Sequence, residues 1–154
     1  MINLVGTYDC KADVKGRLML PIALKKQLGD NLNESFTLKR SVFQPCLELH
    51  PIIEWKLTMD KVNKLNRFVK KNNDFIRRYT AGVRIVDLDN SGRILIPKDL
   101  LKSHFSKNEL VLTSAINIIE IWDKKLYEDV INDSQIDFED LSESVMGNAI
   151  NDVS

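Results

Sequence analysis

The sequence predicts an α+β fold with a mainly β core, in which two copies of one motif interleave about a pseudo-twofold axis. Three observations predict it. A shift of 76 residues lays Asp13, Gly16, Arg17 and Pro21 over Asp89, Gly92, Arg93 and Pro97, so DVKGRLMLP matches DNSGRILIP. Farther along, the shift falls to 72 and puts Leu47-Glu48-Leu49 over Ile119-Glu120-Ile121, which implies a four-residue deletion in the second copy. Each motif holds only about 50 residues, too few to bury a comfortable core alone, so the two must share one.

Asp at the first position and Gly at the fourth sign a type I turn, at residues 13–16 and again at 89–92. Asp13 and Asp89 supply a carboxylate for backbone N–H groups, while Gly16 and Gly92 tolerate the conformation that restarts a strand. Residues 7–12 and 83–88 read as the strands before each turn. Residues 17–20 and 93–96 read as short, heavily buried strands after it. Pro21 and Pro97 end those strands and open helices over 22–28, stopped by Gly29, and over 98–105. Two more strands complete each copy, at 35–40 and 46–50 and at 109–113 and 118–122. Apolar residues recur at helical spacing from 51 to 80, with a break expected at Asn72-Asn73-Asp74. Helices over 123–131 and 137–146 follow the second copy, the last ended by Gly147. The division expected is a first repeat with its helices over 1–80 (core 5–52) and a second over 81–154 (core 81–124).

Composition excludes several classes of function. The chain has 154 residues, 44% of them hydrophobic and 29% charged, which is a globular composition. No apolar run approaches the roughly 18–20 residues of a membrane span, and the first six residues lack the pattern of a signal peptide. The 22 basic and 22 acidic residues cancel, but unevenly: residues 1–125 carry +8 and residues 126–154 carry −8. Cys10 and Cys46, with His50 and His104, make neither a disulfide framework nor a zinc site, and reduced thiols in a cytoplasmic protein are expected. There is no glycine-rich phosphate loop, no metal-spaced histidine pair and no nucleophile beside a base. The expectation is therefore no enzyme, no cofactor, no metal and no small-molecule substrate.

Nucleic-acid binding fits the residues better. Arg17 and Arg93 follow exposed turns, joined by Lys15 and by Lys11 and Arg84 on the adjoining strands. A loop-borne guanidinium makes bidentate contacts to phosphate, or to guanine in the major groove. The alternative is that each arginine braces its turn by pairing with the aspartate four positions earlier, and both hold if the aspartate orients the arginine. Val14-Lys15 makes the first turn more basic than Asn90-Ser91 makes the second. The basic helical stretch 61–78 is open to three readings, a solvated face, a lining of the DNA path or a contact between protomers. The acidic tail is open to three more, docking on a neighbouring protomer's basic helix, competing with DNA, or lying free or locally packed.

The duplicated Asp-x-x-Gly-Arg segment, its apolar triplet and its proline resemble the AbrB-like swapped-hairpin DNA-binding domain. Two copies in one chain of this length resemble the MraZ family of bacterial transcriptional regulators. Pro45-Cys46-Leu47-Glu48-Leu49-His50-Pro51, Glu54-Trp55, Ile119-Glu120-Ile121-Trp122-Asp123 and Asp140-Leu141-Ser142-Glu143 add to the likeness. The resemblance implies a pseudo-twofold swapped-hairpin β-barrel flanked by helices, with the family's DxxxR motifs at residues 13–17 and 89–93. It implies binding of double-stranded DNA at short direct repeats, in the promoter of the division and cell-wall gene cluster that includes the protein's own gene. It also implies a ring-shaped homo-oligomer acting at the nucleoid. The competing reading is a ring-forming structural or interaction protein whose DNA binding is incidental.

Overall fold

The computed structural model describes residues 2–147. In the first copy the elements are β1 (Thr7–Lys11), β2 (Arg17–Met19), α1 (Ile22–Leu28), β3 (Phe36–Arg40) and β4 (Leu47–Pro51), followed by α2 (Ile52–Val62) and α3 (Lys70–Thr80). The second copy repeats the order with β5 (Arg84–Val86), β6 (Arg93–Leu95), α4 (Lys98–His104), β7 (Glu109–Ala115) and β8 (Ile118–Asp123). Helices α5 (Lys124–Ile131) and α6 (Phe138–Ser142) then lead into a π-helical turn at Glu143–Gly147. Asp123 and Asp137 cap α5 and α6 through their carboxylates, satisfying N–H groups that the first helical turn leaves open.

The strands form one antiparallel six-stranded sheet, ordered β1-β7-β8-β4-β3-β5, and a separate antiparallel ribbon, β2-β6. Pairing crosses between copies at both flanks: β1 of the first copy lies on β7 of the second, and β5 of the second lies on β3 of the first. Two registers locate the axis that relates the copies. Leu18 pairs with Ile94 in the ribbon, and Glu48 pairs with Glu120 where β4 meets β8. Each of these residues faces its own counterpart. The core lies between ribbon and sheet, where Leu18, Leu20, Ile94 and Ile96 pack fully buried against Leu38, Leu49, Leu112 and Ile121. Burying a side chain of this size is worth about 1.5–3 kcal/mol.

Four expectations are corrected. No closed barrel forms among the described residues: β1 and β5 remain sheet edges, and the three-residue strands β2 and β6 pair with each other alone. Pro21 and Pro97, lacking an N–H, follow that ribbon closely and limit its ladder. The strand expected over 83–88 is only Arg84–Val86. The long helical stretch breaks at residues 63–69, not at Asn72-Asn73-Asp74, which lie within α3. There Asn73 bonds both Arg67 Nε and the Arg67 carbonyl, and Asn72 bonds the Asn66 carbonyl, so these asparagines latch the loop onto the helix. The four-residue deletion is two deletions of two. Phe36↔Pro51 and Leu110↔Asp123 are equivalent pairs, and the second hairpin turns at Ile116-Asn117 alone, with Ile116 at φ 63°.

The sheet face away from the core carries a charged cluster at the axis. Lys39 and His50 approach Glu48 at 3.8 and 3.0 Å, and Trp122 Nε1 donates to Glu120 at 3.1 Å. Burial would raise the Glu48 carboxyl, but the His50 hydrogen bond and the Lys39 charge outweigh it and hold the group low. Burial and the facing Glu48 charge push Glu120 up.

Candidate nucleic-acid interface

Each turn is built by one aspartate used three times. Asp13 Oδ1 accepts from the Lys15 and Arg17 backbone N–H groups, both at 2.9 Å, and Oδ2 accepts from Arg17 Nε at 2.8 Å. Asp89 repeats this with Ser91, Arg93 and Arg93 Nε, each at 2.9 Å. The backbone closes the same way in both, Gly16 N–H to the Asp13 carbonyl and Gly92 N–H to the Asp89 carbonyl. Gly16 and Gly92 sit at φ 85° and 80°, a region open to glycine, as a turn followed by a glycine bulge requires. Hydrogen bonds from the Arg17 and Arg93 backbone N–H groups are the main reason both carboxyls lie below the usual range. The aspartates are thus ionised over the neutral range. They fix each arginine by Nε and leave its terminal nitrogens without a hydrogen-bond partner among the described residues.

The ribbon then puts both arginines on one surface. Arg17 lies opposite Leu95 and Met19 opposite Arg93, while the alternate residues Leu18 and Ile94 point into the core. The outer face therefore runs from one arginine to the other across two apolar side chains, Met19 at 44% exposure and Leu95 at 54%. Gly16 and Gly92 lie at opposite ends of the ribbon, about 13 Å apart at the rise of a strand. These strands were expected to be heavily buried, and only their inner faces are. The triplets Leu18-Met19-Leu20 and Ile94-Leu95-Ile96 hide a period of two, which counting outward from Arg17 and Arg93 would have revealed.

The other expected residues are placed differently. Lys11 and Lys15 are exposed, at the end of β1 and within the first turn, with no ion-pair partner among the described residues. Arg84 grips Asp99 of α4 through both terminal nitrogens, at 2.9 and 2.7 Å, so its guanidinium is engaged within the protein. Lys25 of α1, which sequence reasoning did not select, reaches the second turn: its Nζ donates to Met19 Sδ at 3.1 Å, and the side chain lies over Gly92.

Elsewhere the charged side chains lie on the flanking helices. Helix α3 exposes Lys70, Lys71, Arg77 and Arg78, with Asp74 pairing Lys70 and Arg77. Helix α6 exposes Phe138 and Leu141 beside Glu139 and Asp140. The residues from 148 onward of the acidic tail lie outside the described residues. Burial pushes the Cys10 thiol up to about 11 and that of Cys46 to about 12, so both are protonated at neutral pH. Among the described residues no helix is long and apolar enough to cross a membrane. Among the described residues no group of three His, Cys, Asp or Glu could hold a metal ion.

Comparison with known proteins bears on this geometry. The sequence matches, over residues 4–78 and 80–148, the model of a family described as "MraZ protein, putative antitoxin-like". It is 64% identical over 152 residues to a Transcriptional regulator MraZ of Flavobacterium psychrophilum, covering 99% of this chain and 97% of that protein. It is 61% identical over 148 residues to one of Christiangramia forsetii, covering 96% of each. A more distant relative of the same name, from Pediococcus pentosaceus, is 33% identical over 142 residues, covering 92% of this chain and 96% of the other. The chain belongs to the MraZ family.

Proposed function

We propose that the chain is a sequence-specific DNA-binding transcriptional regulator. In this reading it binds short direct repeats in the promoter of the division and cell-wall gene cluster, including its own gene, as a ring-shaped homo-oligomer. It works in the cytoplasm at the nucleoid and catalyses no reaction. The observation that carries the reading is the outer face of the ribbon. Arg17 and Arg93 share that face, each held by Nε on its own aspartate and each with terminal nitrogens that have no hydrogen-bond partner among the described residues. Such a fork suits guanine or phosphate, and Met19 and Leu95 between them suit an apolar base edge such as the thymine methyl. The names of the relatives support the same role. Lys15 and Lys11 add sequence-independent attraction to the first loop, and Arg84 acts at most through its Asp99 partner.

The architecture is read as a swapped hairpin, with repeats over 1–80 and 81–154; the crossing of β1 onto β7 and of β5 onto β3 supports it. A direct repeat calls for head-to-tail packing of protomers, which closes into a ring when the rotation permits. Several linked loops then bind more tightly than one by effective concentration. The test is a mobility shift on duplex DNA from immediately upstream of the protein's own gene, against a scrambled competitor. Arg17→Ala/Arg93→Ala should lose about a hundredfold or more in specific affinity, two bidentate contacts each being worth about 1–3 kcal/mol, with the oligomer intact. Retained specific binding in that double variant would defeat the reading. A ring-forming interaction protein with incidental DNA binding is the second reading, favoured by the exposed apolar side chains Phe138, Leu141 and Val145 on the acidic C-terminal helical segment. It predicts equal shifts on both DNAs.

A further inference from the structure

The two turns share one hydrogen-bonding skeleton, yet their own sequences differ by a cation: Lys15 in the first becomes Ser91 in the second. The fold adds something to each turn from the opposite copy. Over Gly16 lies Leu101 of α4, whose Cδ2 would stand 3.3 Å from a β-carbon built on that glycine. Over Gly92 lies the residue at the same position of α1, Lys25, whose Cε would stand 2.8 Å from such a carbon and whose Nζ would overlap it. Leu101 and Lys25 are themselves equivalent in the 76-residue repeat. The first turn therefore carries a lysine of its own and an apolar cover. The second carries no lysine and a lysine cover. Lys25 is half-buried and its Nζ donates to Met19 Sδ, and Met19 is the ribbon partner of Arg93. Lys25 and Arg93 thus converge on one corner from two copies.

We infer that the second contact loop is composite: Lys25, carried by the first copy, is the phosphate-binding cation of the 89–93 loop, standing in for the lysine that the first loop has at position 15. The inference rests on the DNA-binding reading of the two loops. Carboxylates of Glu34, Asp87 and Asp89 border the same hollow, so Lys25 also has a purely local task open to it, that of offsetting their charge. Asp89 is occupied by Arg93, and Asp87 accepts from Ser35, which leaves the Glu34 carboxylate with neither a hydrogen-bond nor an ion-pair partner among the described residues. The two roles give different salt behaviour. A cation on phosphate releases counterions on binding, whereas one that offsets a carboxylate does not.

The experiment uses the full-length protein and the upstream duplex, with fluorescence anisotropy over a series of salt concentrations and a thermal melt of each variant. Lys25→Ala should weaken binding and reduce the salt slope by about 0.9 for every second-copy loop engaged. Lys15→Ala should do the same for the first loop. Lys25→Ala/Ser91→Lys should recover both affinity and slope, because it rebuilds in the second loop the arrangement of the first. An unchanged slope in Lys25→Ala, with or without a shifted melt, overturns the inference and leaves Lys25 a local counter-charge. Failure of Ser91→Lys to restore a slope lost in a variant that melts like the parent also overturns it. Specific binding retained by Arg17→Ala/Arg93→Ala would sink the underlying DNA reading instead, whatever Lys25 does.

Discussion

The two turns of this chain have the same internal wiring and different surroundings. Every hydrogen bond that the Asp13 carboxylate accepts has a counterpart accepted by Asp89 within 0.1 Å. What differs is what presses on the glycine that follows. Gly16 is buried, with the Ile96 carbonyl oxygen only 2.9 Å from where a β-carbon would stand, whereas Gly92 is crowded mainly by the flexible tip of Lys25. The comparison teaches that a motif's chemistry is set locally by a short sequence signature, while its tolerance and its charge are set by the other copy.

Substitution of the two glycines tests that contrast most sharply. Gly16→Ala should cost about 3 kcal/mol, combining a disfavoured φ with a β-carbon against fixed backbone, and Gly92→Ala about 1 kcal/mol, since Lys25 can swing aside. Equal losses in denaturant titration would mean that the crowding does not matter. The two β-hairpins invite the next comparison. The second copy turns on a β-branched residue at positive φ, so Ile116→Asn should stabilise by about 1 kcal/mol, whereas nothing in the longer first loop has that strain. A lower melting temperature would refute this.

The smallest effect is expected where the copies meet at Glu48 and Glu120. Glu48 is held low, so its favourable contribution is present above the ordinary carboxylate pKa and fades as pH falls through the lower folded value. Glu48→Gln should cost about 1 kcal/mol at neutral pH. Glu120 is pushed up, so its favourable contribution is confined to acid and is lost as pH rises through the folded value. Glu120→Gln should therefore stabilise at neutral pH by about 0.5 kcal/mol, the gain shrinking in mild acid, as melts at two pH values would record. Shifts of the same sign would show that the pair does not divide its charge between strong and weak acid.

Much of this was legible in the sequence because it rests on local rules. Asp and Gly three apart mark the turns, Pro21 and Pro97 open the short helices, and Gly29 at φ 56° ends the first. The registers that set the axis follow from internal matching, since equivalent residues pair with each other. What was not legible depended on contacts between distant segments. The outward Met19 and Leu95 were hidden in apolar triplets, and the engagement of Arg84 needed α4 to bring Asp99 within reach. The position of the helix break depended on side chains of α3 reaching back to the preceding loop. No spacing in the sequence links Lys25 to Gly92, because only the pairing of β2 with β6 brings them together.

The axis through Leu18/Ile94 and Glu48/Glu120 runs inside a single polypeptide, and under the proposed DNA contact of the two loops that has a consequence for orientation on a duplex. Two identical chains related by such an axis would present the same loop twice, and their natural target would be a palindrome. Covalent fusion lifts that identity, so the halves were free to diverge, and at Val14/Asn90, Lys15/Ser91 and Lys25/Leu101 they have. The loop pair consequently has a front and a back. A duplex laid across it in one direction meets a different order of contacts from a duplex laid in the other. Polarity of this kind matches the direct repeats of the proposed function, whose successive sites read the same way along a strand.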